Sequence, residues 1–378
     1  MKTTNPIKFH EQLHGKIVVS SKQKLDRDNL SLAYTPGVGE VSMAVAKDKD
    51  KIYGLTGKQN IVAIVTDGTA VLGLGNIGPE AALPVMEGKA AIFAEFAGVN
   101  AVPICLDTQD TEEIIKTVKN IAPAFGGINL EDISAPRCFE IETRLTEELD
   151  IPVFHDDQHG TAIVVLAGLI NAIRLTGKDK TVKIIISGAG AAGLAIANIL
   201  AAYGFTNYCI CDSKGVISKD RDDINGYKKT TTSNSSASCP VGKCADSLKG
   251  ADVLIGVSQP NQFTADDIKK MNRDAIVFAM ANPIPEIMPD EAFRGGAKVV
   301  ATGRSDFPNQ INNALVFPGL FRGLLDNRIS KVTTEIKIAV AEAIADIIEK
   351  PTAEEIIPSI FNKKVTKAIA NSVAKFKK

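Results

Sequence analysis

The order of apolar and polar residues along the chain predicts short buried strands that alternate with helices. Short apolar runs rich in β-branched residues are typical of buried strands, whereas longer Ala-rich or amphipathic segments are typical of helices. Because the two kinds of element alternate, the pattern favours an α/β fold with parallel sheets covered by helices on both faces. The predicted strands are 61–66, 102–106, 151–154, 182–187, 208–212, 253–257, 276–280 and 298–301. The predicted helices are 79–97, 111–121, 160–175, 188–203, 333–349 and 356–378.

The length of 378 residues is typical of roughly two or three domains. We expect a mixed α/β N-terminal domain over residues 1–155. A Rossmann-type, doubly wound parallel-sheet domain with C-terminal helices is expected over residues 156–378. The segment 230–238 (TTTSNSSAS) is too polar to pack in a core and predicts a surface loop.

Composition narrows the classes of function. The formal net charge of -1 gives no general basic field, so we expect no nucleic-acid partner. The apolar stretches are interrupted by Gly or charged residues before they reach membrane-spanning length, and residues 1–10 lack an apolar signal core. These patterns predict a cytoplasmic protein without a membrane partner. Six cysteines in a chain of this length predict ordinary reduced thiols.

The segment Gly188-Ala-Gly190-Ala191-Ala192-Gly193 matches the dinucleotide-binding pattern G-x-G-x-x-G. It follows a predicted strand and opens a predicted helix, as the pattern requires. Gly188 permits the tight turn, Gly190 lets the backbone approach a pyrophosphate, and Gly193 lets the helix pack closely on the strand. The free N–H groups at the helix N-terminus favour phosphate. The sequence therefore predicts a nicotinamide dinucleotide site.

The choice between NAD and NADP stays open. Asp212 ends the next predicted strand and could accept a hydrogen bond from the ribose 2′-hydroxyl of NAD. Ser213 and Lys214 follow it and could instead hold the 2′-phosphate of NADP, with Lys228 or Lys229 within reach.

Two acidic pairs lie near strand ends. Glu131-Asp132 follows a Gly-rich stretch, and Asp156-Asp157 follows the predicted strand 151–154. Carboxylates repel one another unless a cation compensates, and several of them suit octahedral Mg2+ or Mn2+. Taken singly, each pair is more typical of a solvated turn.

His155 and His159 flank the second pair and could in principle bind zinc from one helix face. However, Asp156 stands where a metalloprotease helix carries Glu, and the other two histidines, His10 and His14, lie far upstream. We therefore interpret both residues as local hydrogen-bonding groups.

Lys89 and Tyr34 are candidates for proton transfer. Lys89 lies in a helix of small residues, where burial and a nearby metal would lower its pKa towards that of a general base. Tyr34 lies in a turn rich in Pro and Gly. Without other information, a lysine that reaches solvent and a surface tyrosine are the simpler interpretations.

Together these segments resemble the malic enzyme family over most of the chain and in the family's order. The chain is similar to the short bacterial type. The motifs that carry the resemblance are YTPGVG (34–39), TDGTAVLGLGNIG (66–78), MEGKA (86–90), NLEDI (129–133), FHDDQHGTA (154–162), ANPIPE (281–286) and NQINNALVFPG (309–319).

The resemblance implies oxidative decarboxylation of L-malate to pyruvate and CO2 with reduction of NAD or NADP. It implies Mg2+ or Mn2+ held by Glu131, Asp132 and Asp157, with Lys89 as the base, Tyr34 as the acid and Asp156 paired with Lys89. Malate and the nicotinamide end of the cofactor would contact Asn282 and Asn313. Ser258 would line the cofactor site and Leu72 the substrate site. The resemblance also implies a homodimer whose N-terminal domain binds malate and forms the dimer contact.

One departure from the family concerns substrate binding. Many longer members carry an arginine where this chain has Thr69-Ala70-Val71, and there it binds a substrate carboxylate. The backbone of residues 73–76 or a residue from a partner subunit would replace it.

Three alternative functions stay open. One is a malolactic enzyme, which releases lactate and resembles the same family. The others are oxaloacetate decarboxylation as a side activity and a binding module without turnover.

Overall fold

The computed structural model describes residues 5–71, 73–218, 221–224, 226–239 and 241–377. The first part of the chain forms, within this described portion, a four-stranded parallel sheet in the order β2-β1-β3-β4. Its strands are β1 (Ile61–Thr66), β2 (Asn100–Cys105), β3 (Gly127–Leu130) and β4 (Val153–His155). Its helices are α1 (Pro6–Leu13), α2 (Leu30–Ala33), α3 (Val38–Lys47), α4 (Lys51–Leu55), α5 (Pro79–Ala97), α6 (Thr111–Ile121) and α7 (Arg137–Glu148).

Helices cover both faces of this first sheet because each presents an apolar stripe. The α6 helix begins where the Asp110 side chain accepts a hydrogen bond from the Glu113 N–H at 2.8 Å. It then buries Ile114, Ile115 and Val118 against one face of the sheet. On the other face, α5 buries Met86 and Phe93.

The second part of the chain forms a six-stranded sheet in the order β10-β9-β8-β5-β6-β7. All its described strand pairs are parallel except β6 with β7. Its strands are β5 (Ile184–Ser187), β6 (Tyr208–Asp212), β7 (Gly215–Val216), β8 (Val253–Gly256), β9 (Ala275–Ala279) and β10 (Ala297–Thr302). Its helices are α8 (Asp156–Thr176), α9 (Ala191–Tyr203), α10 (Gly226–Ser233), α11 (Ala265–Ile268), α12 (Pro289–Arg294), α13 (Phe317–Asn327), α14 (Thr334–Ala345) and α15 (Lys364–Ala374).

The α8 helix is long and apolar enough to cross a membrane by length and composition alone. However, 67% of its most apolar window is buried inside the protein. It packs against α9 and α14 and contributes a continuous run of buried residues to the largest core. These are the properties of a core helix, and its first two residues are the acids Asp156 and Asp157.

Two predictions about the second sheet are wrong. Within the segment expected to be a surface loop, α10 continues to Ser233 and buries Thr231 and Thr232. Their hydroxyls donate to carbonyls one turn earlier, at 3.0 and 2.9 Å, so their polar atoms are satisfied inside the helix. The second wrong prediction is that the cysteines are reduced thiols. Cys209 forms a disulfide with Cys239, and Cys211 forms one with Cys244.

Candidate active site

The carboxyl ends of β3 and β4 bring the two acidic pairs together. Glu131 and Asp132 follow β3, whereas Asp156 and Asp157 open α8 directly after β4. The two strands are parallel neighbours, with Leu130 opposite His155, so both pairs emerge at the same edge of the sheet. One oxygen from each of Glu131, Asp132 and Asp157 lies within 4.8 Å of the others.

The charge of this cluster is not balanced by the chain. Burial raises the pKa of Asp132, Glu131 and Asp157, and repulsion from Asp157 adds to the effect on the first two. Among the described residues, Asp132 Oδ2 and Asp156 Oδ1 are buried oxygens without a hydrogen-bond partner. Buried carboxylate oxygens without partners fit a hard divalent cation, which Glu131, Asp132 and Asp157 could hold.

Lys89 is the cation that the chain itself supplies to this cluster. It is buried on α5, and its Nζ lies 2.6 Å from Glu131 Oε2 and in direct contact with Asp156 Oδ2. Its ammonium also lies 4.4 Å from the centre of the Phe317 ring. The acids around Lys89 shift its pKa in the direction opposite to the one expected from burial. Burial does lower the pKa of Lys89, but attraction from Asp156, Glu131 and Asp157 outweighs it and raises the pKa.

Tyr34 does not join this cluster within one chain. Its side chain is 67% exposed at the end of α2. In the described part of the chain, no hydrogen bond links it to Lys89 or to the acids, whereas Lys89 bonds directly to Asp156. The structure therefore places Lys89 and Asp156 together and leaves Tyr34 on an open surface.

The loops predicted to bind substrate lie next to the acids. The Ala70 N–H donates to the carbonyl of Asp132 at 2.9 Å. Gly73 has a φ of +73°, and a Cβ there would lie 2.5 Å from the Asn282 carbonyl oxygen, so the two loops touch. A Cβ on Gly160 would meet Asp156 Oδ1 at 1.9 Å and the Asn313 side chain at 3.1 Å. Asn282 and Asn313 are thus brought to the acidic edge, and Leu72 lies outside the described residues.

The dinucleotide motif has the geometry that its sequence predicted. Gly188 has a φ of +117°, and a Cβ there would lie 2.4 Å from the Val257 carbonyl oxygen. A Cβ on Gly193 would lie 1.9 Å from the Gly188 carbonyl oxygen. By contrast, a Cβ on Gly190 would meet nothing within 4 Å, which leaves room for a ligand. Ala191 and Ala192 form the first turn of α9, whose N–H groups face that space.

Glu286 is a residue that sequence reasoning missed. It is fully buried, and its two oxygens accept from the Ser258 N–H at 2.6 Å and the Ala281 N–H at 3.0 Å. It thereby joins the loop after β8 to the loop after β9, which carries Asn282. Its position in the ANPIPE motif was the available clue. Ser258 also lies beside Ser187, with their hydroxyl oxygens 3.0 Å apart.

Asp212 ends β6 in a strongly basic setting. Arg221 donates to both its carboxylate oxygens at 2.9 and 3.0 Å, and Lys228 donates at 2.8 Å. Burial by itself raises the pKa of Asp212, but these hydrogen bonds outweigh it and lower the pKa to about 2. Ser213 and Lys214 are exposed beside it, and the Lys214 ammonium lies 2.6 Å from Asp223. Arg221 is a second residue that the sequence analysis missed.

The two histidines have different surroundings. His159 lies between Glu142 at 2.9 Å and Lys337 at 3.0 Å, as the local hydrogen-bonding interpretation expected. His155 is fully buried, its backbone N–H donates to Glu142 Oε1 at 2.9 Å, and its Nδ1 lies 3.8 Å from Asp157 Oδ2. Among the described residues, the one group of three or more potential metal ligands is Glu131, Asp132 and Asp157, which contains no histidine.

Comparison with known proteins identifies the family. A model of the malic enzyme N-terminal domain matches residues 12–146, and a model of the malic enzyme NAD-binding domain matches residues 158–377. The NAD-dependent malic enzyme of Geobacillus stearothermophilus is 56% identical over 369 residues, which are 97% of this chain and 77% of that protein. The bifunctional malic/malolactic enzyme of Bacillus subtilis is 52% identical over 372 residues, 97% of this chain and 91% of that protein.

A solved structure agrees over nearly the whole chain. The crystal structure of the NAD-dependent malic enzyme from Thermotoga maritima is 47% identical and gives a TM-score of 0.95. The match covers 98% of this chain and 99% of that one, and it confirms the predicted α/β fold with its Rossmann-type domain. Both domain models and these relatives show that the chain belongs to the malic enzyme family.

Proposed function

We propose that this chain converts L-malate to pyruvate and CO2, reduces NAD or NADP, and depends on Mg2+ or Mn2+. Membership in the family confirms the predicted class, an NAD(P)-dependent oxidative decarboxylation of malate. The observation that carries the metal requirement is the excess of negative charge on the buried acids Glu131, Asp132 and Asp157. Lys89 compensates only part of this charge. The division into a malate- and metal-binding domain over residues 1–155 and a cofactor domain over residues 156–378 is part of the proposal.

The roles of the residues follow from their contacts. When bound, the cation supplies Lewis-acid polarisation of the malate C2 oxygen, and the dinucleotide supplies the hydride acceptor. Lys89 carries a proton while only acids surround it, because they raise its pKa. Lys89 would be able to take the C2 hydroxyl proton once a cation held by Glu131, Asp132 and Asp157 weakened the attraction of these acids for its ammonium group. Asp156 fixes the Lys89 ammonium through its direct contact.

The remaining roles concern the end of the reaction and substrate orientation. Tyr34 returns a proton to C3 after CO2 has left, which requires that its exposed hydroxyl reach a substrate site. Asn282 and Asn313 orient malate and the nicotinamide, since both lie at the acidic edge. The backbone of residues 73–76 binds the C4 carboxylate, since Gly73 adopts a left-handed conformation in contact with the Asn282 loop and Gly75 adopts one with open space beside it.

We further propose that the chain acts as a cytoplasmic homodimer. Its N-terminal segment exposes an unusual number of large apolar side chains for a monomer surface. Examples are Ile7, Leu13, Val18, Val19, Leu25, Leu32 and Met43. Tyr34 lies on the same surface at the end of α2, so a partner covering this surface would also cover Tyr34.

The first experiment follows the absorbance of reduced nicotinamide after mixing the protein with L-malate and Mn2+. NAD and NADP are tested in parallel, with a chelator as the control. We expect a rise that the chelator abolishes. A rise that persists after the chelator has removed all metal would contradict the metal site, and no rise with either dinucleotide would contradict the activity.

A malolactic reaction is a second candidate because the Bacillus subtilis relative is named as bifunctional. In that reaction malate yields lactate, and no free reduced dinucleotide accumulates. Quantifying pyruvate, lactate and reduced dinucleotide in the same reaction separates the two. Lactate without reduced dinucleotide favours the malolactic reaction, whereas equal amounts of pyruvate and reduced dinucleotide favour oxidative decarboxylation. Release of pyruvate from added oxaloacetate would measure the side activity.

A further inference from the structure

Four of the six cysteines form two adjacent pairs beside the adenosine end of the cofactor site. Cys209 and Cys211 alternate with Ile210 on β6, so both side chains point to the same face of the sheet. They are bonded to Cys239 and Cys244, which lie on the segment after α10. The Cα–Cα distances are 5.6 and 5.7 Å, well within the range of disulfides. The remaining cysteines, Cys105 and Cys138, are free.

The bonded segment supports the turn that carries Asp212. The Val216 N–H, on β7, donates to the Gly242 carbonyl at 2.9 Å. Gly215 has a φ of +106°, and a Cβ there would lie 2.2 Å from the same carbonyl oxygen. Gly242 therefore lies directly on the β6–β7 turn, whose residues include Asp212 and Lys214. Cys211 is also the neighbour of Asp212 in sequence.

Between the two cysteines, the described residues of this segment are open to solvent. Val241, between the two cysteines, is 82% exposed, and Gly242 and Lys243 are exposed as well. Cys239 and Cys244 are themselves only partly buried, whereas Cys209 and Cys211 are about 1% exposed. A small thiol could thus reach the outer sulfur of each pair. Reduction would remove the main covalent support of the turn without opening the core of the domain.

We propose that these two cysteine pairs are a reversible thiol–disulfide switch that sets the affinity for the dinucleotide. In the oxidised state, the segment fixes the β6–β7 turn and with it Asp212. In the reduced state, the turn loosens and the dinucleotide binds more weakly, because ordering the turn then opposes binding. The binding readout rests on the proposed function, since it assumes that Asp212 contacts the adenosine ribose.

The chemistry balances with a low-molecular-weight disulfide, such as oxidised glutathione, as the electron acceptor. Each pair loses two S–H bonds and gains one S–S bond. The two electrons and two protons reduce the external disulfide to two thiols through a mixed-disulfide intermediate. Complete oxidation of both pairs therefore consumes two external disulfides for each chain.

The first test is independent of catalysis. The protein is equilibrated with reduced or oxidised glutathione, trapped in denaturant, and its thiols are counted. We expect two thiols in the oxidised state, Cys105 and Cys138, and six in the reduced state. The intact mass of the oxidised form should be about 4 Da lower because four hydrogens have left. Six thiols after treatment with oxidised glutathione would overturn the proposal, as would an unchanged mass together with stoichiometric zinc bound to the native protein.

The second test measures the dissociation constant of NAD and NADP by calorimetry in both redox states, without malate. We expect reduction to raise the constant by roughly threefold to tenfold, and trypsin to cut the reduced form faster between Arg221 and Lys249. The double variant Cys239→Ser/Cys244→Ser should behave as the reduced form in either buffer. Cys105→Ser, which leaves both pairs intact, should still respond. Equal constants in both redox states, with binding detected, would refute the switch, whereas no binding in either state would refute the dinucleotide site.

Discussion

The two acidic sites of this chain differ in how their charge is balanced. At the edge of the first sheet, Glu131, Asp132, Asp156 and Asp157 share one buried cation, Lys89. At the end of β6, the single acid Asp212 is held by Arg221 and Lys228. Burial raises the pKa of the first set, whereas hydrogen bonds lower that of Asp212.

At the first site the chain supplies too little positive charge for its acids, whereas at the second it supplies enough. Buried carboxylates without sufficient positive charge destabilise the fold unless they are protonated or bind a cation. The acidic cluster therefore supports the proposed metal site. Asp212 has its positive partners already, so a dinucleotide must either share them or displace them.

The largest effect is expected from Asp157→Asn. The amide oxygen can still accept from the Asp132 N–H, which now donates to Asp157 at 2.8 Å, but the ligand charge is lost. We expect activity to be abolished at any Mn2+ concentration, and the rise in melting temperature with Mn2+ to disappear. Asp157→Ala should do the same and also lose the hydrogen bond. The control Asp150→Asn changes an exposed acid a few residues earlier in the chain. A Mn2+-induced shift as large as that of the wild type would remove Asp157 from the metal site.

Lys89→Ala should lower kcat by at least about a hundredfold, as expected for a proton-transfer group. A matched control is Lys58→Ala, because Lys58 is also buried but donates to the carbonyls of Ala122, Pro123 and Phe125. That control should lower the melting temperature and leave kcat nearly unchanged. Comparable kcat losses in both variants would show that the effect of Lys89 is structural.

Tyr34→Phe should lower kcat by at least about a hundredfold for the same reason. Since Tyr34 lies on an open surface, the variant also tests whether a partner subunit supplies it. Dimers reassembled from equal amounts of the Tyr34→Phe and Lys89→Ala chains have one intact site in each mixed dimer if Tyr34 acts on its partner. About a quarter of wild-type activity should then return. Absence of recovery, with mixed dimers present, would place Tyr34 in the site of its own chain.

Asp212→Ser should shift the ratio of kcat/KM for NADP over NAD upward by about tenfold, which corresponds to about 1.4 kcal/mol. Without the carboxylate, Arg221 and Lys228 present positive charge to a 2′-phosphate. Asp223→Ser is the control, because it removes a different partner of Arg221 and leaves Asp212 bound. An unchanged ratio in the Asp212 variant would exclude this site from cofactor selection.

The smallest effect concerns stability against pH. The pKa of Asp212 is about 2 in the folded chain, below the ordinary value of about 3.9. Its contribution is therefore fully present above pH 4 and is lost as the pH falls from about 4 towards 2. Because Asp212 is partly open to solvent, we expect only about 1 kcal/mol or less. Urea unfolding of wild type and Asp212→Asn at pH 6 and pH 3 should show a smaller acid-induced loss in the variant, and equal losses would contradict the ion pair.

Sequence patterns predicted most elements because buried parallel strands have distinctive apolar runs. Several of them were found almost as predicted, including β1, α5, α6, β6, and the strand β5 and helix α9 on either side of the turn at Gly188. The strand β3 was missed because Gly126-Gly127 and Asn129 hide its short apolar pattern. The helix α10 was missed because its threonines satisfy their own hydroxyls, which composition does not reveal.

The candidate site was predictable where neighbouring residues in sequence are neighbours in space. The acid pairs and the dinucleotide turn belong to this class. Arg221, Glu286 and the cysteine pairs do not, since their partners lie elsewhere along the chain and only the folded sheet brings them together. The direction of the Lys89 pKa shift was missed for a related reason, because it depends on the number of acids around one ammonium group.

Glu286 sets a limit on which sequences this architecture tolerates. Both its oxygens accept backbone N–H groups, one from the loop after β8 and one from the loop that carries Asn282. A glutamine is nearly isosteric but offers one acceptor oxygen and one donor nitrogen, so it would direct an N–H at another N–H. An aspartate is one methylene too short to reach both loops. A saturation library at this position should therefore recover glutamate almost alone.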